Sequence, residues 1–466
     1  MLSDSLKKYA YRWPDIDLAA AAGGQYTKDT RGYVMKMPEK AEAVFKDSRW
    51  PAFFPSSISL VTTGEGSKPA LEKVVGAAIV NRFPYIVALN FCKDDLSGRH
   101  HPRQAFMDTL ESTGCAAIQF LPPGEELDKV MQVINTVPEQ ETHRRIEKTG
   151  LKLRKAETNP ALVFEHSYMV YETRLVKPGK DFGGEPIYEH PWMDVGSHRI
   201  YFLEINAIQL RRDIAEGRSQ VLWRSLPAWE PQSPPDETAR QTGQLPVDGS
   251  YIKPFDSHYK FPAENTVAFE ADEVKDEMAV KYLSPLPEDQ VEVDNDRARW
   301  PCFFPSSLGM ITSYSGNGVP NIMPCGSTFM VSRYPLTVGI CVSYAAINER
   351  YAPRASLDFI RENGSFGCGV PYINDTIRNA IGYAGNLSMH KDPRKLANSG
   401  LYYEDGEWGP VLTDLPIYFG CWVKDQIKLG THILFLGEVQ EIRVRPDVTP
   451  DNALEWCPWV DILKNE

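Results

Sequence analysis

The stretch Arg49-Trp50-Pro51-Ala52-Phe53-Phe54-Pro55-Ser56-Ser57 returns 250 residues later as Arg299-Trp300-Pro301-Cys302-Phe303-Phe304-Pro305-Ser306-Ser307, with one position changed. Working outward, each copy runs through an apolar segment to an aromatic-Pro step, Asn81-Arg82-Phe83-Pro84 and Ser332-Arg333-Tyr334-Pro335. Then come Pro102-Arg103 and Pro353-Arg354, and after them Gly114-Cys115-Ala116-Ala117-Ile118 and Gly364-Ser365-Phe366-Gly367-Cys368. Near the end of each unit, Gly196-Ser197-His198 through Glu204 echoes Gly430-Thr431-His432 through Glu438. Landmarks in one order at nearly constant offset indicate duplication. The period is too long for a solenoid or propeller repeat, so each copy is expected to be a domain with its own core.

At 466 residues and 42% hydrophobic, the chain suits two ordinary domains plus connecting material. Net charge is -12 and pI about 5.4, which argues against a basic nucleic-acid footprint, so an anionic ligand must be held by local donors. Eight cysteines are spread without CxxC pairs, which suits a reducing cytoplasm. No segment has the length of a membrane span, and Ala19 to Ala22 is too short for a signal-peptide core.

The expected organisation is an N-terminal extension over 1–47, a first unit over 48–212, a Pro- and acid-rich strap over 213–298, a second unit over 299–446 and a tail over 447–466. The strap contains Trp223, Trp229, Tyr251, Phe255, Tyr259 and Phe261, so it is expected to pack across the domains. In the second unit, the β-rich run Leu308 to Tyr314 precedes Ser315-Gly316-Asn317-Gly318, a hairpin turn signal. Strands are predicted at Thr328–Val331, Leu336–Val342, Phe366–Val370, Ile417–Val423 and His432–Val444, with helical windows around Ala355–Glu362 and Pro393–Ser399. The pattern is mainly β with short helices and reads as a small closed antiparallel barrel.

The second unit resembles the flavin reductase-like, FMN-binding split-barrel family. The resemblance is carried, over about residues 299–445, by Pro305, Ile311-Thr312, Gly318, Asn321, Cys325-Gly326-Ser327-Thr328-Phe329, Ser332-Arg333-Tyr334-Pro335, Gly364-Ser365-Phe366, and Thr431-His432 through Gly437-Glu438-Val439. The first unit follows the same plan with losses. Where the second has Asn321 and the loop Cys325 to Phe329, the first has Ala70 to Ala78, without the Asn and the hydroxyls, so its site is expected to be altered or empty. Acyclic relatives usually pair with the flavin at the subunit interface. Two fused copies therefore imply two tandem split β-barrels forming an intramolecular pseudo-dimer; whether fused chains pair again into a homodimer is left open.

The resemblance implies FMN, or FAD, as cofactor, with NAD(P)H as transient donor and free flavin, oxygen or a small organic acceptor downstream. Backbone N–H groups approach a ligand closely in small-residue loops, so Cys325, Gly326, Ser327 and Thr328 are the candidate cradle. Asn321 falls at the site's edge by resemblance and reads equally as a turn-exit residue. Ser343, Arg350 and Arg354 follow the next strand, where relatives place phosphate contacts; a guanidinium suits phosphate, although a matching Arg103 in the first copy also suits a role in the fold. His432, with His198 as counterpart, is the candidate catalytic residue by resemblance, and a structural histidine is the alternative. Lys391, Arg394 and Lys395 form a basic loop where relatives carry an Asp-Lys-Phe-like element. The Trp-Pro stretches read as packing, and Cys302 and Cys325 as small buried residues. No dinucleotide fingerprint, P-loop or zinc spacing is present. Two other functions fit the same scaffold: a flavin-linked enzyme acting on an organic substrate between the barrels, and a non-catalytic flavin or haem module.

Overall fold

A computed structural model describes residues 25–29, 32–36, 59–64, 66, 68–74, 76–81, 84–94, 102–121, 125–180, 186–210, 266–268, 280–283, 307–333, 335–344, 354–371 and 375–444. The two Trp-Pro stretches up to Ser306, Cys302, Arg350, the strap aromatics and the tail lie outside these residues.

The chain begins with a hairpin, β1 (Gln25–Asp29) and β2 (Gly32–Lys36). The first barrel is built from β3 (Ser59–Thr63), β4 (Ala70–Val74), β5 (Ala77–Asn81), β6 (Ile86–Cys92), α1 (Gln104–Thr113), β7 (Cys115–Phe120), α2 (Glu125–Thr136), α3 (Thr142–Thr149), β8 (Met169–Leu175) and β9 (His198–Leu210). A second hairpin follows, β10 (Thr266–Ala268) and β11 (Val280–Leu283). The second barrel comprises β12 (Ser307–Tyr314), β13 (Pro320–Arg333), β14 (Leu336–Ser343), α4 (Ala355–Asn363), β15 (Ser365–Val370), α5 (Asp375–Asn386), β16 (Ile417–Lys428) and β17 (His432–Val444).

In the second half, every strand pairs antiparallel around a ring: β13 with β12, β12 with β15, β15 with β16, β16 with β17, β17 with β14, and β14 with β13 again. The first half follows the same circuit, with β4 and β5 together taking the place of the long β13. The fold is thus mainly β, two split barrels in tandem. Asn317-Gly318 does close the β12–β13 hairpin, and Gly318 at φ +76° supplies the left-handed backbone that the turn needs. Both α1 and α4 end on a left-handed glycine, Gly114 and Gly364, so this landmark of the duplication is a helix stop.

The helical window at Pro393–Ser399 forms turns, with a single 3-10 turn at Ala397–Ser399. Asp392 is the reason: its carboxylate accepts the Arg394 N–H at 2.9 Å, a local turn that competes with helix. The second helix of this barrel is instead α5. Its Ile377, Ala380, Ile381 and Ala384 recur at helical spacing and are buried against Met310 and Ile322.

The two barrels share a seam. Ala78, Val80, Ile86, Ala88, Ile200 and Phe202 of the first form one buried cluster with Phe329, Val331, Cys341, Leu434 and Leu436 of the second. Polar contacts across it are reciprocal. Asn81 of the first barrel accepts from Thr431 of the second; Ser332, which holds Asn81's place in the second, meets Ser197, which holds Thr431's place in the first, at 3.4 Å. Such exchange of matching contacts is the signature of an isologous interface, here within one chain. Asn90 adds a tie, its Nδ2 donating to the Met330 and Val331 carbonyls at 2.6 and 2.7 Å.

The hairpins are exchanged in the same sense. The N-terminal β2 pairs with β17, the last strand of the second barrel, and β11, which precedes the second barrel, pairs with β9 of the first. Each arm therefore covers the other barrel's outer edge, which would otherwise present unpaired backbone. Both arms lie in segments that read from sequence as extension and strap.

Candidate functional site

The N-terminus of α4 gathers the polar groups of the second barrel. Arg354 precedes the helix in extended conformation and its side chain does not cap it, so the start of α4 brings the positive end of the helix dipole to this point. Asn321, 1% exposed on β13, donates from Nδ2 to Ser356 Oγ at 2.8 Å and to Ser313 Oγ at 3.4 Å. Its Oδ1 is buried with no hydrogen-bond partner, a costly arrangement that a ligand donor would relieve. Arg354 reaches the Gly385 carbonyl at the end of α5 at 3.4 Å.

Lys395 is the unexpected member. It is 5% exposed and forms no ion pair among the described residues. Burial, reinforced by repulsion from Arg354 and only partly opposed by Asp392, lowers its pKa from 10.5 to about 7. Asp392 is committed elsewhere: burial would raise its pKa, but hydrogen bonds from Tyr383 Oη at 2.5 Å and Asn398 Nδ2 at 2.8 Å outweigh burial and hold it below the ordinary carboxylate value. Arg354 keeps an exposed surface, yet the protein crowded around it pulls its pKa down by desolvation, with Cys325 opposing; a guanidinium remains charged regardless. Arg354 and Lys395 thus stand within repulsive range near the start of α4, and neither forms an ion pair among the described residues. Lys391 and Arg394 of the same loop are exposed.

The remaining sequence-predicted residues distribute around this point. Cys325, Gly326, Ser327 and Thr328 form a bulge inside the continuous strand β13, not a loop, since the register shifts between Gly309↔Cys325 and Ser307↔Thr328. Thr328 is fully buried and its hydroxyl donates to the Cys325 carbonyl at 2.8 Å. The Cys325 thiol is pushed up by burial, with hydrogen bonds from Thr328 and neighbouring backbone opposing; that suits a packing role. Ser343 links the two clusters: its carbonyl accepts the Arg354 N–H at 3.2 Å, and it faces His432 across the β14–β17 ladder.

His432 stands half-buried at the seam. Thr431 Oγ1 donates to Asn81 Oδ1 at 2.9 Å, so its lone pairs face His432 Nδ1 at 2.7 Å. Nδ1 therefore carries the proton, which makes Nε2 the acceptor nitrogen of the neutral ring. Asn81 Oδ1 also accepts the Thr431 and His432 N–H groups at 2.8 and 3.0 Å, so a first-barrel residue orients the second barrel's histidine.

In the first barrel, the corresponding places are filled from within. Arg103, like Arg354, precedes the first helix, and Arg145 lies nine residues past α2, as Lys395 lies nine past α5. Glu72 faces Val61 across the β3–β4 ladder just as Met323 faces Ile311 across β12–β13. The Glu72 carboxylate, 0% exposed, meets Arg145 Nη1 at 2.6 Å and Arg103 Nε at 3.1 Å. Glu139, three residues past α2, accepts the Phe106 N–H in the first turn of α1 at 3.0 Å. Three past α5 stands Met389. A cavity of about 720 Å³ bordered by Gly64, Thr113, Asn159 and Arg174 also lies in the first barrel and shares no residue with these clusters.

Among the described residues, no helix is long and apolar enough to cross a membrane, and the six described cysteines form no disulfide with one another. No curated protein matches the chain. Among solved structures, flavoredoxin from Methanosarcina acetivorans is 19% identical, covering 32% of this chain and 74% of that one with a TM-score of 0.28. Flavoredoxin of Desulfovibrio vulgaris (Miyazaki F) is 23% identical over 32% and 76%, with a TM-score of 0.27. The styrene monooxygenase flavin reductase from Pseudomonas putida S12 is 16% identical over 30% and 82%, with a TM-score of 0.25. The family model of the flavin reductase like domain matches residues 301–458, the span that contains the second barrel.

Proposed function

We propose that the chain is an FMN-dependent oxidoreductase whose working site is in the second barrel, drawing electrons from NAD(P)H and passing them to free flavin, oxygen or a small organic acceptor. The observation that carries this reading is the cation pair Arg354 and Lys395 near the start of α4, in the region that matches a flavin reductase like domain and with no ion-pair partner for either among the described residues. A phosphate group suits that setting: the guanidinium offers paired N–H donors, the ammonium a point charge, and the helix its free N–H groups. Asn321, with an orphaned acceptor, suits a ligand N–H donor.

When bound, a flavin supplies the acceptance and donation of hydride. The protein's part is to hold it and to handle protons. His432 is positioned for the last task, because Thr431 and Asn81 fix its tautomer with Nε2 as the basic nitrogen. The free thiols support a reducing, cytoplasmic setting.

Purified protein should show a flavin spectrum or bind added FMN, and Lys395→Met should weaken FMN far more than riboflavin, which lacks the phosphate. His432→Gln should leave FMN affinity unchanged while lowering NAD(P)H oxidation by about 10²-fold, the scale of a lost proton-transfer group. A chain that binds neither FMN nor FAD refutes the reading.

A further inference from the structure

We propose that the first barrel is a plugged copy of the same anion site, in which Glu72 and Glu139 supply from within the negative charge that a ligand's phosphate supplies in the second barrel, so that the fused chain holds one such ligand, not two. The inference rests on the proposed function only for the identity of the ligand; the internal comparison stands on geometry.

Both barrels place a cation before the first helix and another nine residues beyond the second helix: Arg103 with Arg145, and Arg354 with Lys395. In the first barrel the pair is neutralised by one fully buried carboxylate, Glu72, in contact with both cations. Arg145 is further fixed by the carbonyls of Val137 and Leu71, at 2.9 Å from Nη2 and 3.1 Å from Nη1. The helix start is closed as well, since Glu139 takes the Phe106 N–H. At both carboxylate positions the second barrel carries methionine, Met323 and Met389, each buried and neither able to neutralise a cation. Two coordinated differences, each exchanging an internal carboxylate for a neutral side chain, leave one barrel saturated and the other short of negative charge. A buried ammonium such as Lys395, which faces Arg354 and forms no ion pair among the described residues, is disfavoured as a cation, so the charge that balances it in the second barrel comes from a ligand.

The test uses the full chain, with FMN titrated by fluorescence and inorganic phosphate by calorimetry and as a competitor. The wild-type chain is expected to bind one equivalent of each per chain, and Lys395→Met to weaken both by about tenfold or more, the scale of a lost charge-assisted contact. Glu72→Gln combined with Glu139→Gln keeps the side-chain shapes and removes both charges; it is expected to add a second equivalent of phosphate. Two equivalents in the wild-type chain, or a single equivalent in the doubly substituted chain that retains native circular dichroism, overturns the proposal. Should that variant not fold, Arg103→Met decides: single-equivalent binding lost there and retained in Lys395→Met also overturns it. One phosphate per chain with no affinity for flavin leaves the plug standing and refutes the flavin reading alone.

Discussion

Replacing Lys395 by methionine should stabilise the ligand-free chain, by an amount set by pH. The folded protein holds this lysine at a pKa of about 7 against 10.5 for the ordinary side chain, because it is buried and faces Arg354. Between these two values the unfolded chain carries a proton that the folded chain lacks, so wild-type stability rises with pH from about 7 to 10.5. Below about pH 7 both states are charged and the full penalty is present. At about 1.36 kcal/mol per pH unit, the penalty amounts to roughly 5 kcal/mol below pH 7, roughly 3 at pH 8 and under 1 by pH 10.5. Methionine of similar length carries no such penalty, so the variant's advantage should be largest at about pH 6 and close as pH rises toward 10. Urea unfolding at a series of pH values, followed by intrinsic fluorescence, measures it directly. With FMN present the order should invert, because the charge then has its counter-ion. A variant less stable than wild type at low pH, or a gap that stays constant with pH, refutes the reasoning.

Asn81→Ala strands the Thr431 and His432 N–H groups at the seam and should cost about 2–6 kcal/mol in thermal unfolding, at about 1–3 per unpaired group. Glu172 accepts the Glu157 and Thr158 N–H groups, the Thr158 hydroxyl and Gln209 Nε2, so Glu172→Ala should cost about 3–5 kcal/mol and speed hydrogen exchange at residues 157–158. Burial raises the thiols of Cys325, Cys341, Cys368 and Cys421; peptide mapping after alkylation of the native chain should find these four protected and half-buried Cys92 labelled first among the described cysteines.

The barrels were legible because their signals are local and come twice: β-rich runs, an Asn-Gly turn, and glycines that stop helices at matching places. The pseudo-dimer followed from the duplication. The exchanged hairpins were not legible, since Gly32–Lys36 and Val280–Leu283 share no motif and their pairing is a long-range backbone event. Helix α5 could have been found from its buried stripe at 377, 380, 381 and 384, but glycines at 382 and 385 weaken its propensity. Arg354 was a candidate by position, whereas Lys395 was one of three cations in a basic loop with nothing in the sequence to choose among them. What separates it from Lys391 and Arg394 is burial, which no charge count reveals. The role of Glu72 was equally hidden, because its partners lie 31 and 73 positions away and only the folded barrel brings them together.

When two identical subunits meet about a two-fold axis, every mutation at their boundary is made twice at once, so one half can be altered only together with the other. Joining the halves removes that constraint. The boundary described here differs between its two halves: Asn81 accepts three donors within 3.0 Å, and the residue in the equivalent place is a serine, Ser332, which meets Ser197 at 3.4 Å. In a symmetric ancestor a glutamate at position 72 would have silenced both sites together. On a fused polypeptide it can turn one lobe into scaffold and leave the other free to specialise.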